Sequence, residues 1–569
     1  MRLRPAATLI WSATLLTGWL LTITPCMAAE TDGTDGMLAD SALVALGQRI
    51  YRQGILPSGQ ALRGEARPGV FRSGSDAACS ACHRRSGYGM TEGPVVIRPI
   101  TRDALFQTQP LTAANPRIEH QLGQLAHPPY DDQTLARAIR SGVDVTGHAL
   151  SDSMPRYGLS DDEIKPLLAY LKTLSSQPEP SVNETEIHLA TVIQPGVSAQ
   201  KRQAMLDVLS AFIKDKNAGT RSDEKRRQIG TMRMQRAYRQ WNLHVWELSG
   251  TPDSWEAQLE AYYRQQPVFA LVGGLGKTDW SPIQEFSERF AVPCIFPQVE
   301  LPGLPGRDGE RFYTLYLSRG VLLEADVLAR YLADRPKPEK LIQVFRANTP
   351  GEAAAREFRA KLPDAAKRLD DRVLEGAADG PYWQTLAREK GRTALVLWLD
   401  ADDLAGATEN LAPGDRKEHA DVTDVTNEAL VFLSSNLLGE FTTALPLATR
   451  GTSTLLVYPW DSPEAMETAQ HRTRAWLQHK GMAVIDDPIQ INTFFAVSVV
   501  GDVLSHILDS FSREYFIERV EHAVQQSLTP SSFPHVSLGP NQRFAAKGSY
   551  IVRVDPEKGF TAVSDWIVP

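Results

Sequence analysis

Cysteine is scarce in this chain: 569 residues carry four, at positions 26, 79, 82 and 294. Such a low count excludes a disulfide-stapled scaffold, and a lone Cys-x-x-Cys pair excludes the doubled sets of a structural zinc fold. Charge of one sign is lacking too. Sixty Lys and Arg stand against 68 Asp and Glu, giving a net charge of −8. Nucleic-acid binding needs a basic stripe, which is missing, so nucleic acid is not an expected partner. No short internal repeat is visible. With 42% hydrophobic and 22% charged residues, the composition is that of folded globular protein. At this length one hydrophobic core does not suffice, and two or three domains are expected.

Residues 1–29 read as a targeting signal. Arg2 and Arg4 form a basic start, residues 9–23 are apolar, and Ala28 and Ala29 offer a small-residue cleavage site before Glu30. This predicts export to the periplasm. No charge lies between Arg4 and Glu30, so a membrane-anchored form with the segment uncleaved is the rival reading. Cys26 would suit a lipidated terminus, but Pro25 stands where a small residue is wanted. Once the signal is removed, Cys294 is left over; its apolar surroundings, Val292-Pro293-Cys294-Ile295-Phe296, read as a buried, inert thiol.

Composition then changes along the chain. Residues 40–175 show short helical patterns separated by Gly- and Pro-rich loops. Residues 176–185 read as a linker, following the polar run Ser175-Ser176-Gln177-Pro178-Glu179-Pro180-Ser181. From 186 to 569, short apolar runs alternate with amphipathic helices. The runs fall at 187–193, 243–248, 269–273, 293–296, 341–345, 394–399, 429–433 and 455–458. Most lack strict alternation, as strands covered on both faces do. In the helical pattern at 199–214, Met205, Leu209, Phe212 and Ile213 share a face. This order predicts doubly wound α/β lobes, and the segment is long enough for two.

The chemistry is concentrated in Cys79-Ser80-Ala81-Cys82-His83. Two cysteines three apart can take thioether bonds from one haem, while the adjacent histidine supplies the proximal iron ligand. A redox Cys-x-x-Cys would follow a βαβ pattern, and none precedes this one. A zinc site would need further ligands, and a disulfide across two residues would leave His83 without a role. The expected cofactor is one covalent haem c with its iron.

Residues 40–175 resemble the class I cytochromes c, which implies an all-α domain. Gly47, Tyr51 and Gly54 fall on a first helix with Leu43, Leu46 and Ile50 on its apolar face. The resemblance implies that this helix crosses the last one, with Gly47 permitting close approach. Gly87 and Gly89 follow the motif. Pro99, or in its place Pro94, is the counterpart of the family proline whose carbonyl orients the proximal imidazole. A middle helix over 132–140 ends at Gly142. The last helix opens with Ser160 and Glu163 in capping-box spacing and carries Ile164, Leu167, Leu168, Leu171 and Leu174 on one face. Pro166 predicts an irregular first turn there. Met154, in Ser153-Met154-Pro155-Arg156-Tyr157, stands where the family places its axial methionine and is the expected distal iron ligand. Rival readings are a core methionine at 154, or ligation by His120, His127 or His148. A methionine-closed iron moves electrons and does not activate oxygen.

Residues 186–569 resemble type I periplasmic binding proteins, in particular the leucine/isoleucine/valine receptors. The resemblance rests on ordered features: Phe269-Ala270-Leu271-Val272-Gly273-Gly274 as third strand and glycine turn, 283–297 as the helix and strand before the first crossing, Phe312-Tyr313-Thr314-Leu315-Tyr316-Leu317 as entry to the second lobe, and His535-Val536-Ser537-Leu538 with 549–554 as closing strands. It implies a small-molecule ligand held between two lobes. Candidate cleft residues are Lys277, Thr278, Trp398 and Asp400. Amino-acid receptors present several hydroxyls where this chain has only Thr278, a departure that weighs against an amino-acid ligand. Asp400-Ala401-Asp402-Asp403 lacks the glycine and distal Glu of a calcium loop and reads as a solvated helix start. The expected function is non-enzymatic: transfer of single electrons between a periplasmic dehydrogenase and a terminal acceptor, beside a solute-binding module that docks a partner or holds a ligand. The alternatives are a receptor for transport or sensing with a regulatory haem, and a haem enzyme such as a peroxidase.

Overall fold

Apolar residues at helical spacing near position 47 predict a helix, and the chain forms one over Asp32–Gln53. The computed structural model describes residues 32–92, 95–107, 127–176, 179–227, 239–303, 311–335, 338–362, 369–376, 380–387, 393–404, 430–439, 454–461, 463–507, 510–540, 542–555 and 559–569. The expected signal at 1–29, with Cys26, lies outside them.

The first helix packs across helix Asp161–Leu171. A Cβ at Gly47 would lie 2.0 Å from the Pro166 carbonyl oxygen, so only glycine admits this crossing. The last helix starts as expected: the Ser160 side chain accepts from the Glu163 N–H, and the Glu163 carboxylate accepts from the Ser160 N–H. Pro166 sits inside that helix without ending it. Between them, helix Asp132–Ser141 ends at Gly142 in the left-handed conformation. Shorter helices lie at Ser80–His83 and Arg102–Phe106. The region is not all-α as expected. It also contains two antiparallel hairpins, β1 (Arg63–Arg67) with β2 (Val70–Ser73), and β3 (Met90–Glu92) with β4 (Val95–Ile97). Local turn chemistry accounts for the first: Gly69 adopts φ +78°, and Glu65 accepts its N–H.

Among the described residues, two seven-stranded sheets follow. The first is built on β5 (Glu186–Ile193), flanked by β6 (Gln240–Glu247) and β7 (Ala270–Val272), and continues through β9 (Cys294–Ile295) to β11 (Thr314–Leu315). All these pairs are parallel. Strand β8 (Leu275–Asp279) meets the end of β5 and pairs in parallel with β10 (Gln298–Leu301). Strand β8 begins at Leu275, directly after the expected glycine turn Gly273-Gly274. Gly276 packs against Trp280, where a Cβ would stand 2.7 Å from the indole.

The second sheet runs β13 (Leu369–Val373), β12 (Lys340–Phe345), β14 (Thr393–Trp398), β15 (Leu430–Ser434) and β16 (Thr454–Tyr458), all parallel. It closes with two antiparallel strands, β17 (Tyr550–Asp555) and β18 (Gly559–Ala562). Most strand residues are buried, which is why their sequence reads as continuous apolar runs rather than alternation.

The chain passes between lobes after β11 and returns to the second sheet through 542–549. These two crossings run side by side: Tyr316 N–H donates to the Arg543 carbonyl, and the Ala545 and Ala546 N–H groups donate to the Tyr316 and Leu317 carbonyls. Residues 535–538, expected as a strand, take no regular structure; the Ser537 N–H reaches across to the Ala545 carbonyl. Helix Asp487–Ile507 is long and apolar enough to span a membrane. Its Phe495, Val499 and Val503 instead pack with helix Arg513–Gln526 into the core of the first lobe.

Candidate functional site

Cys79, Cys82 and His83 lie within one helical turn. The His83 N–H donates to the Cys79 carbonyl at 2.8 Å, closing the turn and placing i, i+3 and i+4 side chains on one face. Both thiols are free. Burial, and then the neighbouring Cys82, push the Cys79 thiol up to about 12. His83 Nδ1 lies 2.9 Å from the Arg98 carbonyl oxygen. With the Nδ1 proton donated there, Nε2 keeps its lone pair for a metal. Burial lowers the proton affinity of His83 against the opposing pull of that carbonyl, which favours the neutral ring. The orienting carbonyl is thus Arg98's and not Pro99's. Pro99 disfavours helical backbone at Arg98, the residue before it. Pro94 falls outside the described residues.

Two buried tyrosines pin the motif. Tyr157 donates its hydroxyl to the Ala77 carbonyl and Tyr51 to the Arg84 carbonyl, each at 2.8 Å. Cys79 packs against an apolar wall that includes Leu105, Tyr157 and Leu167. Two free thiols and an imidazole with one nitrogen fixed, set against an apolar wall, fit a covalently held haem.

Met154 is half-buried, in a loop whose shape depends on Arg156. That guanidinium donates to the carbonyls of Leu150, at 2.9 Å, and Met154. Backbone bonds between Arg156 and Glu65 tie the loop to β1. Gly142 leaves the room: a Cβ there would lie 1.9 Å from Arg156 Nε. Sequence reading assigned Gly142 only to the helix end and passed over Arg156, because nothing local marks an arginine that serves carbonyls up to six residues before it. Among the rival ligands, His127 bonds the Pro128 carbonyl, and His148 is exposed beside the Thr146 hydroxyl. His120 is outside the described residues.

The cleft candidates separate. Thr278 spends its hydroxyl and N–H on Gln194 Oε1, both at 3.1 Å. Trp398, expected at the cleft, is instead buried in the core of the second lobe, its indole N–H bonded to Gln343. A parallel strand covered on both faces leaves its last side chain no route to the surface. Lys277 and Asp400 are exposed, and both act electrostatically on Glu300, a residue with no signal in the sequence. Burial raises the Glu300 carboxyl to about 7; Lys201 and Lys277 oppose the rise and Asp400 adds to it. Glu300 on β10 thus feels a charge on β8 of its own lobe and one two residues past the end of β14 in the other.

Residues 73–175 match the family model for cytochrome c. No curated protein gives a significant sequence match. Similar solved structures include a fatty acid ABC transporter substrate-binding protein from Thermomonospora curvata, 15% identical over 69% of this chain and 95% of that one, TM-score 0.46. A branched-chain amino acid ABC transporter protein from Thermus thermophilus with bound valine is 10% identical over 68% and 98%, TM-score 0.47. A leucine-binding protein from Thermotoga maritima is 12% identical over 67% and 99%, TM-score 0.45.

Proposed function

We propose that this chain, whose residues 73–175 form a cytochrome c domain, is a periplasmic carrier of single electrons, with a two-lobed solute-binding-like module attached. Cys79 and Cys82 would hold one haem covalently, and His83 and Met154 would ligate its iron. A haem so bound supplies reversible one-electron chemistry. The observation that carries the reading is the His83 ring, fixed through Nδ1 by the Arg98 carbonyl and left with a free Nε2 in the same helical turn as two free thiols. The redox partners are a periplasmic dehydrogenase on one side and a terminal acceptor on the other. A small ligand or docked partner takes the cleft beside Lys277, Glu300 and Asp400.

The chain's own residues do three things here. Arg98 holds the imidazole in its ligating tautomer; Tyr51 and Tyr157 fix the motif's ends; Arg156 shapes the methionine loop. The test is expression with cytochrome-maturation machinery, followed by intact mass and absorption. Added haem mass that is lost in Cys79→Ser/Cys82→Ser supports the reading, as does reduction and reoxidation by protein partners. A colourless chain without added mass overturns it. The receptor reading, in which the haem is regulatory, is favoured by the Glu300 cluster alone. It requires a small molecule whose binding weakens in Lys277→Ala or Asp400→Asn.

A further inference from the structure

The segment following His83 is clamped by the other module. Arg84 takes a left-handed backbone conformation, φ 65°, which turns the chain out of the motif. Its guanidinium pairs with Glu521 at 2.5 Å, and Ser86 donates its N–H at 2.9 Å and its hydroxyl at 2.5 Å to the two oxygens of Glu518. Tyr88 stacks on Tyr515 with ring centroids 4.2 Å apart. All three partners lie on helix Arg513–Gln526, a core element of the first lobe. Glu518 and Glu521 are buried.

The same contacts lead to the crossings between lobes. Arg543 pairs with the second oxygen of Glu521 and donates to the Phe312 carbonyl. Arg85 lies over the Phe312 ring at 4.4 Å. Phe312 and Arg543 begin the two adjacent segments that pass from one sheet to the other. Glu521 therefore links the residue after the proximal histidine to the strands that must flex if the lobes move.

We propose that Glu521 is a positioning residue for the haem, and that through Arg84 and Arg543 it couples the haem's reduction potential to the conformation of the inter-lobe crossings. The proposal rests on the haem reading above. Reduction of a haem held there would remove one positive charge from its iron and so alter the field on a buried Arg–Glu–Arg bridge where screening is weak. By linkage, anything that shifts the crossings shifts the potential in return.

The full chain, with haem confirmed by mass and absorption, is compared in ferric and ferrous states by hydrogen exchange. Peptides over 311–317 and 542–549 are expected to exchange at different rates in the two states. Glu521→Gln removes a buried negative charge and frees Arg84, so its reduction equilibrium is expected to rise by roughly tenfold, about 59 mV for one electron. Glu521→Asp, keeping the charge, returns most of the shift. A merely structural residue would lower the melting temperature and leave the potential alone. Equal exchange in both states, in a chain whose haem is present and reducible, overturns the coupling while leaving the electron-carrier reading intact. If Glu521→Gln does not fold, the parent comparison decides.

Discussion

On helical propensity, Gly47→Ala inside helix Asp32–Gln53 stabilises by about 1 kcal/mol. The crossing with the last helix reverses that sign. A Cβ at 47 would stand 2.0 Å from the Pro166 carbonyl oxygen and 2.7 Å from Tyr170 Cβ. The first of these atoms is backbone and cannot rotate aside, so the helices must part by roughly 1 Å, and such overpacking costs about 1–3 kcal/mol. The parting would also strain the Tyr51–Tyr170 ring contact at 5.2 Å and the Arg52–Tyr170 hydrogen bond at 3.2 Å on the same seam. Losses of this kind place the effect at the upper end of the range and outweigh the propensity gain. Thermal unfolding of the haem-loaded chain, followed at the haem absorption, is expected to show a lower midpoint for the variant. A Gly47→Ala chain that melts at or above the parent temperature refutes the crossing.

Glu324 is buried and hydrogen-bonded by Ser434, Ser435 and the Asn436 N–H; burial, against those bonds, raises its carboxyl from 4.5 to about 7. Between those values the folded chain binds more protons than the unfolded one, so stability from this group is full below 4.5 and is lost as pH rises through 7, by about 3 kcal/mol at most. Glu324→Gln should therefore gain stability relative to the parent as pH rises from 4.5 to 7, with no further gain above; a pH-independent difference in denaturant midpoints refutes it. Arg156→Ala leaves the carbonyls of Leu150 and Met154 without their donor, and the methionine–iron absorption band is expected to weaken while the covalent haem mass stays. An unchanged band counts against Arg156 as the support of that loop. Asp131→Ala removes the capping box of helix Asp132–Ser141 and should cost about 1 kcal/mol, read as a lower melting midpoint.

Much of the architecture was legible because its signals are local. The Cys79–His83 spacing corresponds to one helical turn. The Ser160–Glu163 box and Gly142 mark helix ends through their own backbone chemistry, and buried parallel strands announce themselves as unbroken apolar runs. Strands β8 and β10 carry little signal because they are short and only partly buried, and β8 also contains a glycine. Trp398 was misplaced for a related reason. The sequence marks where the strand ends but not that its last side chain is still covered there.

The order of residues determined the one-turn spacing of Cys79, Cys82 and His83 and which segments become helices and parallel strands, since each depends on neighbours within a few positions. Tertiary structure alone decided that Arg98 supplies the orienting carbonyl and that Arg156 shapes the Met154 loop. It also decided that Glu518 and Glu521 grip the segment after His83, more than 430 residues away along the chain. Such contacts carry no local pattern. They exist only once burial makes an unpaired carboxylate or guanidinium too costly to leave alone.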